Sequence, residues 1–396
     1  MTFLLSSKNV FQYLIEEGIC EQNQQFLSQI EPKSCKNFNL LVSLTEDRYF
    51  LIKQERHNHE GKTNGDFCYE WLFYEFLQEF PELSSIRPLI SEAIHFDLSR
   101  SILVFNYLND YCDLGYFYSK EQVFPTEIAS QIGATLATIH RTTLDCQEYK
   151  DFLNSNSKEL PIDEEVDFLE RLERIEPEVF GIYSEDSLEF FRLYQRYESL
   201  GEAIAELNQV WEPCCLIHND LKLKNILLHL EWEQCLSTNK LEATSMVRLI
   251  DWEKFTWGDP TLDLGTIIAS YLQIWLSSLV ISTAIDVETA LRLATTPLEV
   301  IQPSLVALTQ AYLAHFPEII ERRQNFLRRA MQFAGFVLIR KIHLKINHLK
   351  PFDNTGICML QVAKTLLCHP EQSIQIVFGI TESELTCPRV HLIFAV

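Results

Sequence analysis

The hydrophobic periodicity of this chain changes character near Asn109, and that change limits the fold more than any other feature. Before it, short apolar runs alternate with turn signals. Asn39–Leu44 and Arg48–Lys53 read as two strands joined by the polar turn Thr45-Glu46-Asp47. His57–Asp66 is polar, holds Gly61 and Gly65, and reads as a loop. Phe67–Phe80 reads as a helix stopped by Pro81, and Ser101–Tyr107 as a further strand. Beyond Asn109, helical spacing dominates. Pro125–Arg141 places Ile128, Ile132, Leu136 and Ile139 on one face, and Glu164–Ile175 repeats the pattern with Val166, Leu169, Leu172 and Ile175. Leu188–Val210 reads as one long helix, and the chain stays helical to about Leu367. Met246–Asp251 interrupts this as a short strand, with its partner expected within Leu223–Leu230. The fold class expected is α+β and bilobal. A small β-rich N-lobe with one helix spans residues 1–108 and a large, mostly helical C-lobe spans 109–396. A strand-like connection lies near Val104–Leu108, and the cleft is expected between the lobes.

Composition narrows the partners. The formal net charge is −22, which disfavours nucleic acid and anionic membrane surfaces, both of which need basic protein surface. It weakly favours a cationic co-substrate. The 11 cysteines are scattered without a C-x-x-C pair, so reduced thiols in a cytoplasm are expected rather than a disulfide framework or a zinc site. Cys214 and Cys215 precede an apolar segment and read as packing residues. Met1–Val10 shows no secretory pattern. Gly265–Ile285 contains no charged residue, but its recurring Ser, Thr and Gln and its flanking Asp263 and Asp286 read as a buried core helix rather than a membrane span.

The chemistry concentrates in two segments. In His218-Asn219-Asp220-Leu221-Lys222-Leu223-Lys224-Asn225, one loop aims a carboxylate and an amide oxygen toward the same place. Phosphoryl transfer needs a carboxylate near the attacking hydroxyl and oxygen ligands for Mg²⁺. Asp220 suits the first task and Asn225 the second. Further on, Leu249-Ile250-Asp251-Trp252-Glu253 ends a buried strand in an acidic residue, a natural mount for a metal bridging nucleotide phosphates. Each of these residues alone would read as a cap or turn residue. Their order makes the set specific.

Trp257-Gly258-Asp259-Pro260-Thr261-Leu262-Asp263-Leu264-Gly265 completes the pattern. Together these segments resemble the aminoglycoside phosphotransferase and choline kinase family, which shares the protein-kinase-like fold. The resemblance implies ATP and Mg²⁺ as cofactors and a structural role for Asp263 in bracing the catalytic loop. It implies that Lys53, in Tyr49-Phe50-Leu51-Ile52-Lys53, holds the nucleotide phosphates, with Glu70 as its ion-pair partner and Glu75 as second choice. Val104–Leu108, including Phe105 and Tyr107, corresponds to the hinge whose backbone binds adenine. Ile132–His140 corresponds to the helix before the catalytic loop. The match covers roughly Asn37–Ile285. Three features depart from the family. No glycine-rich loop precedes Lys53, so Lys36-Asn37-Phe38-Asn39 must cover the phosphates. Asn219 stands where many members carry glycine. Asp220-Leu221-Lys222 looks more like a protein Ser/Thr kinase, with Lys222 placed to reach the γ-phosphate.

His218 and His140 read as packed structural residues, and His57 and His59 as loop residues rather than metal ligands. Trp252 and Trp257 read as core or cleft walls. The acid-rich stretch Glu159–Glu189 reads as solvated helix faces, or as an acceptor surface. Three functions compete. The first is a kinase for a hydroxyl of a small, cationic metabolite. The second is a Ser/Thr kinase for a ribosomal precursor peptide in lanthipeptide-type biosynthesis, working with a partner lyase. The third is a pseudokinase binding module. Asp251 and Asp263 stand only twelve positions apart with no Ala-Pro-Glu terminus, which disfavours an ordinary regulated protein kinase. The filled set of polar roles disfavours the pseudokinase.

Overall fold

A computed structural model describes residues 3–27, 29–34, 37–45, 48–59, 61–156, 172, 184–237, 245–280, 287–348 and 351–386. Glu46, Asp47 and Lys36 lie outside these residues. So do the helix expected over Glu164–Ile175, apart from Leu172, and the acidic stretch before Ser184. The chain forms two compact units, one of Met1–Leu114, Gln147–Pro161 and Lys224–Phe255, the other of Gly115–Cys146, Ile162–Leu223 and Thr256–Val396. A β-sheet region precedes a mostly helical one, as the change of periodicity requires of an α+β, kinase-like bilobal fold.

The first unit is built on an antiparallel sheet of β1 (Gln29–Ser34), β2 (Phe38–Thr45), β3 (Arg48–Gln54), β4 (Ala93–Asp97) and β5 (Ile102–Asn106), in the order β1-β2-β3-β5-β4. Pro32 is tolerated in β1 because that strand lies at the sheet's edge. Side chains alternate across a strand. Leu40, Val42, Phe50, Ile52, Ile102 and Val104 therefore share one face, packed with Val10, Phe11 and Leu14 of the helix Val10–Glu16. The pairs Leu51↔Phe105 and Lys53↔Leu103 fall on the opposite face. The helix Asp66–Glu79 packs against β4 and β5. It starts after Gly65, whose φ of 84° only glycine adopts at no steric cost, and gives way to a 3₁₀ turn at Pro81. Phe76 and Phe80 meet Tyr149 and Phe152 of the helix Gln147–Asn156 at 4.7–5.8 Å between ring centroids. A second antiparallel sheet joins β6 (Tyr111–Asp113), β8 (Ile226–His229) and β9 (Val247–Leu249), so the partner of the Met246–Asp251 strand is where the apolar run Leu223–Leu230 placed it.

In the second unit, β7 (Cys215–Ile217) and β10 (Thr256–Gly258) pair antiparallel. Helices make up the rest. Thr126–Thr143 lies along Leu298–His315, and Pro260–Ser278 along Phe326–Asn347. The latter two approach so closely that a Cβ on Gly265 would lie 2.7 Å from the Ala330 carbonyl and 2.9 Å from the Ala334 amide. Helix Pro260–Ser278 contains Gly265–Ser278 of the charge-free segment and is buried from Pro260 to Leu272. Among the described residues no helix is long and apolar enough to cross a membrane. The single helix expected over Leu188–Val210 is two, Glu185–Gln195 and Glu198–Gln209. The break falls at Tyr197, whose backbone is extended (φ −111°, ψ 91°). Its ring lies 3.8 Å below the Lys364 ammonium and its hydroxyl accepts from Gln361, both on the helix Asn354–Cys368. These tertiary contacts outweigh an unbroken apolar period.

Candidate active site

In the first unit, Lys53 leaves the sheet face opposite the Val10–Glu16 core and points at two carboxylates. Its Nζ lies 3.1 Å from Asp251 Oδ1 and 3.6 Å from Glu70 Oε2, and 4.7 Å from the centroid of Phe105. Burial opposes the ammonium, but Glu70 and Asp251 outweigh it and raise its pKa above the ordinary lysine value. Glu70 is fully buried. Burial, only partly offset by Lys53, pushes its carboxyl up to about 7. Glu75 is turned away and accepts a hydrogen bond from Trp71 Nε1 at 2.9 Å.

An aromatic stack explains how Glu70 and Asp251, far apart in sequence, come together. Glu70 and Phe73 are three residues apart and share a helix face. Phe73 stacks on Trp252 at 4.1 Å with rings 7° from parallel, and Tyr69 stacks on Phe255 at 4.5 Å. The buried Trp252, next to Asp251, thus fastens the acidic residue under the helix that carries Glu70. Asp251 itself adopts φ 69°, a left-handed backbone that costs a non-glycine residue about 1–2 kcal/mol. Ile250 donates its amide to the Asn225 carbonyl at 3.0 Å, which sets the backbones of Asn225 and Asp251 side by side. One carboxylate and one amide oxygen are hard donors. They suit Mg²⁺, which retains waters and phosphate oxygens for its other positions.

Phe105 is buried, with its ring against the Lys53 ammonium. The Tyr107 amide is committed to Tyr49 O at 2.9 Å. Asn39, from the segment expected to cover the phosphates, pairs with Lys53 across β2 and β3.

In the second unit, a fully buried carboxylate organises the loop. Asp263 Oδ2 accepts the His218 amide at 2.7 Å, and Oδ1 accepts the Asn219 amide at 2.9 Å. His140 Nε2 lies 3.3 Å from Oδ2, and His140 Nδ1 lies 2.9 Å from the Tyr312 hydroxyl. With Nε2–H donating to the carboxylate, Nδ1 accepts from Tyr312. Burial would raise the Asp263 carboxyl, but the hydrogen bonds from His140 and the His218 amide hold it below the usual carboxylate range. The His218 ring closes the turn from within, its Nδ1 accepting the Asp220 amide at 3.3 Å. Lys222 Nζ then donates to Asp220 Oδ2 at 2.6 Å. Asn219 sits at φ 65°. That conformation accounts for asparagine here, because it enters the left-handed region more readily than other side-chain-bearing residues.

The first acidic residue of the same segment has a separate task. Asp259 caps helix Pro260–Ser278 by accepting the Thr261 amide at 3.0 Å, with Pro260 in the first turn. Being fully buried, it is compensated by Arg323 at 3.0 Å and by Arg329. Sequence reasoning missed both arginines, since nothing local marks them. It also read His140 as packing alone, although its ring bonds to Asp263.

A model of the phosphotransferase enzyme family matches residues 74–290. The chain belongs to that family, whose fold is protein-kinase-like, and it is an enzyme that transfers a phosphoryl group to a hydroxyl. The matched stretch contains Asp220, Asn225, Asp251 and Asp263 and begins after Lys53 and Glu70. Among curated proteins none matches the sequence. Similar solved structures include a choline/ethanolamine kinase family protein from Mesorhizobium loti (13% identity, 94% of this chain and 99% of that one, TM-score 0.49). The choline kinase LicA from Streptococcus pneumoniae (17% identity, 90% and 99%, TM-score 0.45) is another. A glucosamine kinase bound to glucosamine, ADP and inorganic phosphate is similar at 12% identity, 88% and 84% coverage and TM-score 0.45.

Proposed function

We propose that the protein is a cytoplasmic, ATP- and Mg²⁺-dependent kinase for a hydroxyl of a small metabolite. The observation that carries this reading is the grip of Asp263 on the amides of His218 and Asn219, which presents Asp220 from a braced loop. Asp220 accepts and orients the acceptor's hydroxyl proton, and Lys222 offsets charge on the transferred phosphoryl group. Asn225 and Asp251 hold the metal. Lys53, kept charged by Glu70 and Asp251, binds the nucleotide phosphates, and the hinge around Phe105 and Tyr107 takes the base. In this reading residues 1–108 serve the nucleotide and residues 109–396 the catalytic loop, metal and acceptor. Bound Mg²⁺ would draw charge from the phosphates and ease departure of ADP. The family resemblance and the net charge of −22 suggest a cationic acceptor. A peptide acceptor with a partner lyase has only the Asp220-Leu221-Lys222 triplet in its favour, and the filled set of polar roles disfavours a catalytically silent module.

The test is transfer of radiolabelled phosphate, together with nucleotide binding. Asp220→Ala is expected to lower kcat by about three orders of magnitude or more while Mg·ATP still binds. Asp251→Ala is expected to weaken Mg·ATP binding. Near-normal turnover in the first variant, or an unchanged Mg²⁺ dependence in the second, removes those residues from their roles.

A further inference from the structure

A buried carboxylate lies two residues from Lys53, and the nucleotide grip described above makes no use of it. Glu55 is 4% exposed and stands just past the end of β3. Its amide donates to the Ser101 carbonyl at 3.1 Å, which carries the pairing of β3 with β5 one residue further. Side chains alternate along a strand, so Lys53 and Glu55 share one face and Gln54 takes the other. The Gln54 contacts agree: Oε1 accepts the Leu5 amide at 2.7 Å, and Nε2 donates to the Phe3 carbonyl at 3.0 Å.

Both oxygens of Glu55 are engaged. Oε1 accepts the amide of Asp66, the first residue of the helix Asp66–Glu79, at 3.0 Å. Oε2 accepts the hydroxyl of Ser101, on the turn between β4 and β5. The opening amides of a helix have no carbonyl one turn back, and Gly65, which precedes them here, has no side chain to cap them. A carboxylate at that place also meets the positive end of the helix dipole. Strand and helix thus touch at two points, Glu55 with Asp66 at 3.0 Å and Lys53 with Glu70 at 3.6 Å. Two residues of strand advance about 6.6 Å and four residues of helix about 6 Å, so the two contacts form together. The stacks of Tyr69 and Phe73 fasten the helix to the segment of Asp251, not to β3. Beyond the Lys53–Glu70 pair itself, the Glu55 contact supplies the tie to β3.

We propose that Glu55 is a positioning residue for phosphate binding. It sets the register of the helix Asp66–Glu79 on β3, and through that register it holds Glu70 where it keeps Lys53 aimed at the nucleotide phosphates. This rests on the reading of Lys53 as the phosphate-binding residue, so the test must separate a fault in Glu55 from a fault in that reading.

The experiment measures binding of Mg·ATP and of adenosine by calorimetry to the whole chain, native and as Lys53→Met, Glu55→Ala, Glu55→Gln and the double variant Lys53→Met/Glu55→Ala. Adenosine carries the base without phosphates, so it reports on the fold and the base site independently of Lys53. Lys53→Met is expected to weaken Mg·ATP by about tenfold or more. Glu55→Ala is expected to weaken Mg·ATP by about tenfold and to leave adenosine within about twofold. Glu55→Gln keeps an acceptor for the Asp66 amide and loses the charge, so its loss is expected to be about threefold. The double variant is expected to bind Mg·ATP as weakly as Lys53→Met alone, because Glu55 acts through Lys53. An Mg·ATP affinity within about twofold of native in Glu55→Ala, an equal loss of both ligands, or losses that add in the double variant overturns the assignment. Where Glu55→Ala does not fold, Glu55→Gln decides in the same way: a loss confined to Mg·ATP supports the assignment, and no loss or an equal loss of both ligands overturns it. Native-like Mg·ATP binding by Lys53→Met, or none by the native protein, overturns the reading of Lys53 and the assignment with it.

Discussion

Replacing Asp263 by asparagine tests the brace directly, because the side chain keeps its size and loses only its charge and one acceptor. The native carboxylate accepts two loop amides, at 2.7 and 2.9 Å, and the His140 ring, with no exposure to water. Asparagine keeps one acceptor oxygen and turns an NH₂ donor toward the other amide. A hydrogen bond to a charged group is worth about 1.5–3 kcal/mol, so losing its charge from two amides makes local opening easier by about 3 kcal/mol. At about 1.4 kcal/mol per tenfold, exchange protection of the His218 and Asn219 amides is expected to fall about a hundredfold. Hydrogen exchange read by mass spectrometry on peptides spanning Leu216–Leu221 measures this, with phosphate transfer measured alongside. The acid limb gives a second readout. The folded Asp263 carboxyl lies below its ordinary value, so its contribution is complete above the unfolded value of about 4 and is lost as pH falls through the folded one. Loop protection in the native protein should decline in that window, and Asp263→Asn should show no such step. Protection in the variant within about threefold of the native protein would refute the brace.

Two further substitutions probe the supports. Trp252→Ala removes the ring stacked on Phe73 and is expected to destabilise the first unit by about 3–5 kcal/mol in urea unfolding, with loss of Mg·ATP binding. A cost below about 1 kcal/mol would separate that stack from the positioning of Asp251. Asn219→Gly relieves a left-handed backbone and is expected to change stability by less than about 1 kcal/mol, whereas Asn219→Val should destabilise by about 1–2 kcal/mol. Equal melting temperatures for the two variants would remove the conformational account of Asn219.

Much of this was legible wherever a local rule acted alone. Gly65 and Pro81 bound the helix Asp66–Glu79, which the sequence placed at Phe67–Phe80. Pro125 starts the helix Thr126–Thr143, and alternation marks β3. The polar spacing of His218–Asn225 and the acidic end of the Met246–Asp251 strand marked where to look for the loop and the metal donors. Elements that need a distant partner stayed hidden. β7 and β10 are three residues each, too short for a period to show. β1 contains a proline and polar residues, and only its neighbour makes it a strand. The break at Tyr197 comes from Gln361 and Lys364. Arg323, Arg329 and His140 reach their partners only through helix packing.

The first unit is discontinuous, and this has a consequence for how the chain is made. Its second sheet needs β8 and β9, and the Lys53 pair needs Asp251, so a nascent chain cannot finish that unit until about residue 255 has left the ribosome. The brace waits longer still, because the His140 ring leans on Tyr312. Early segments therefore spend much of synthesis with sheet edges and apolar faces unmatched, an interval in which chaperone binding competes with aggregation. A gene fragment ending before Lys224 would yield a polypeptide held permanently at that stage.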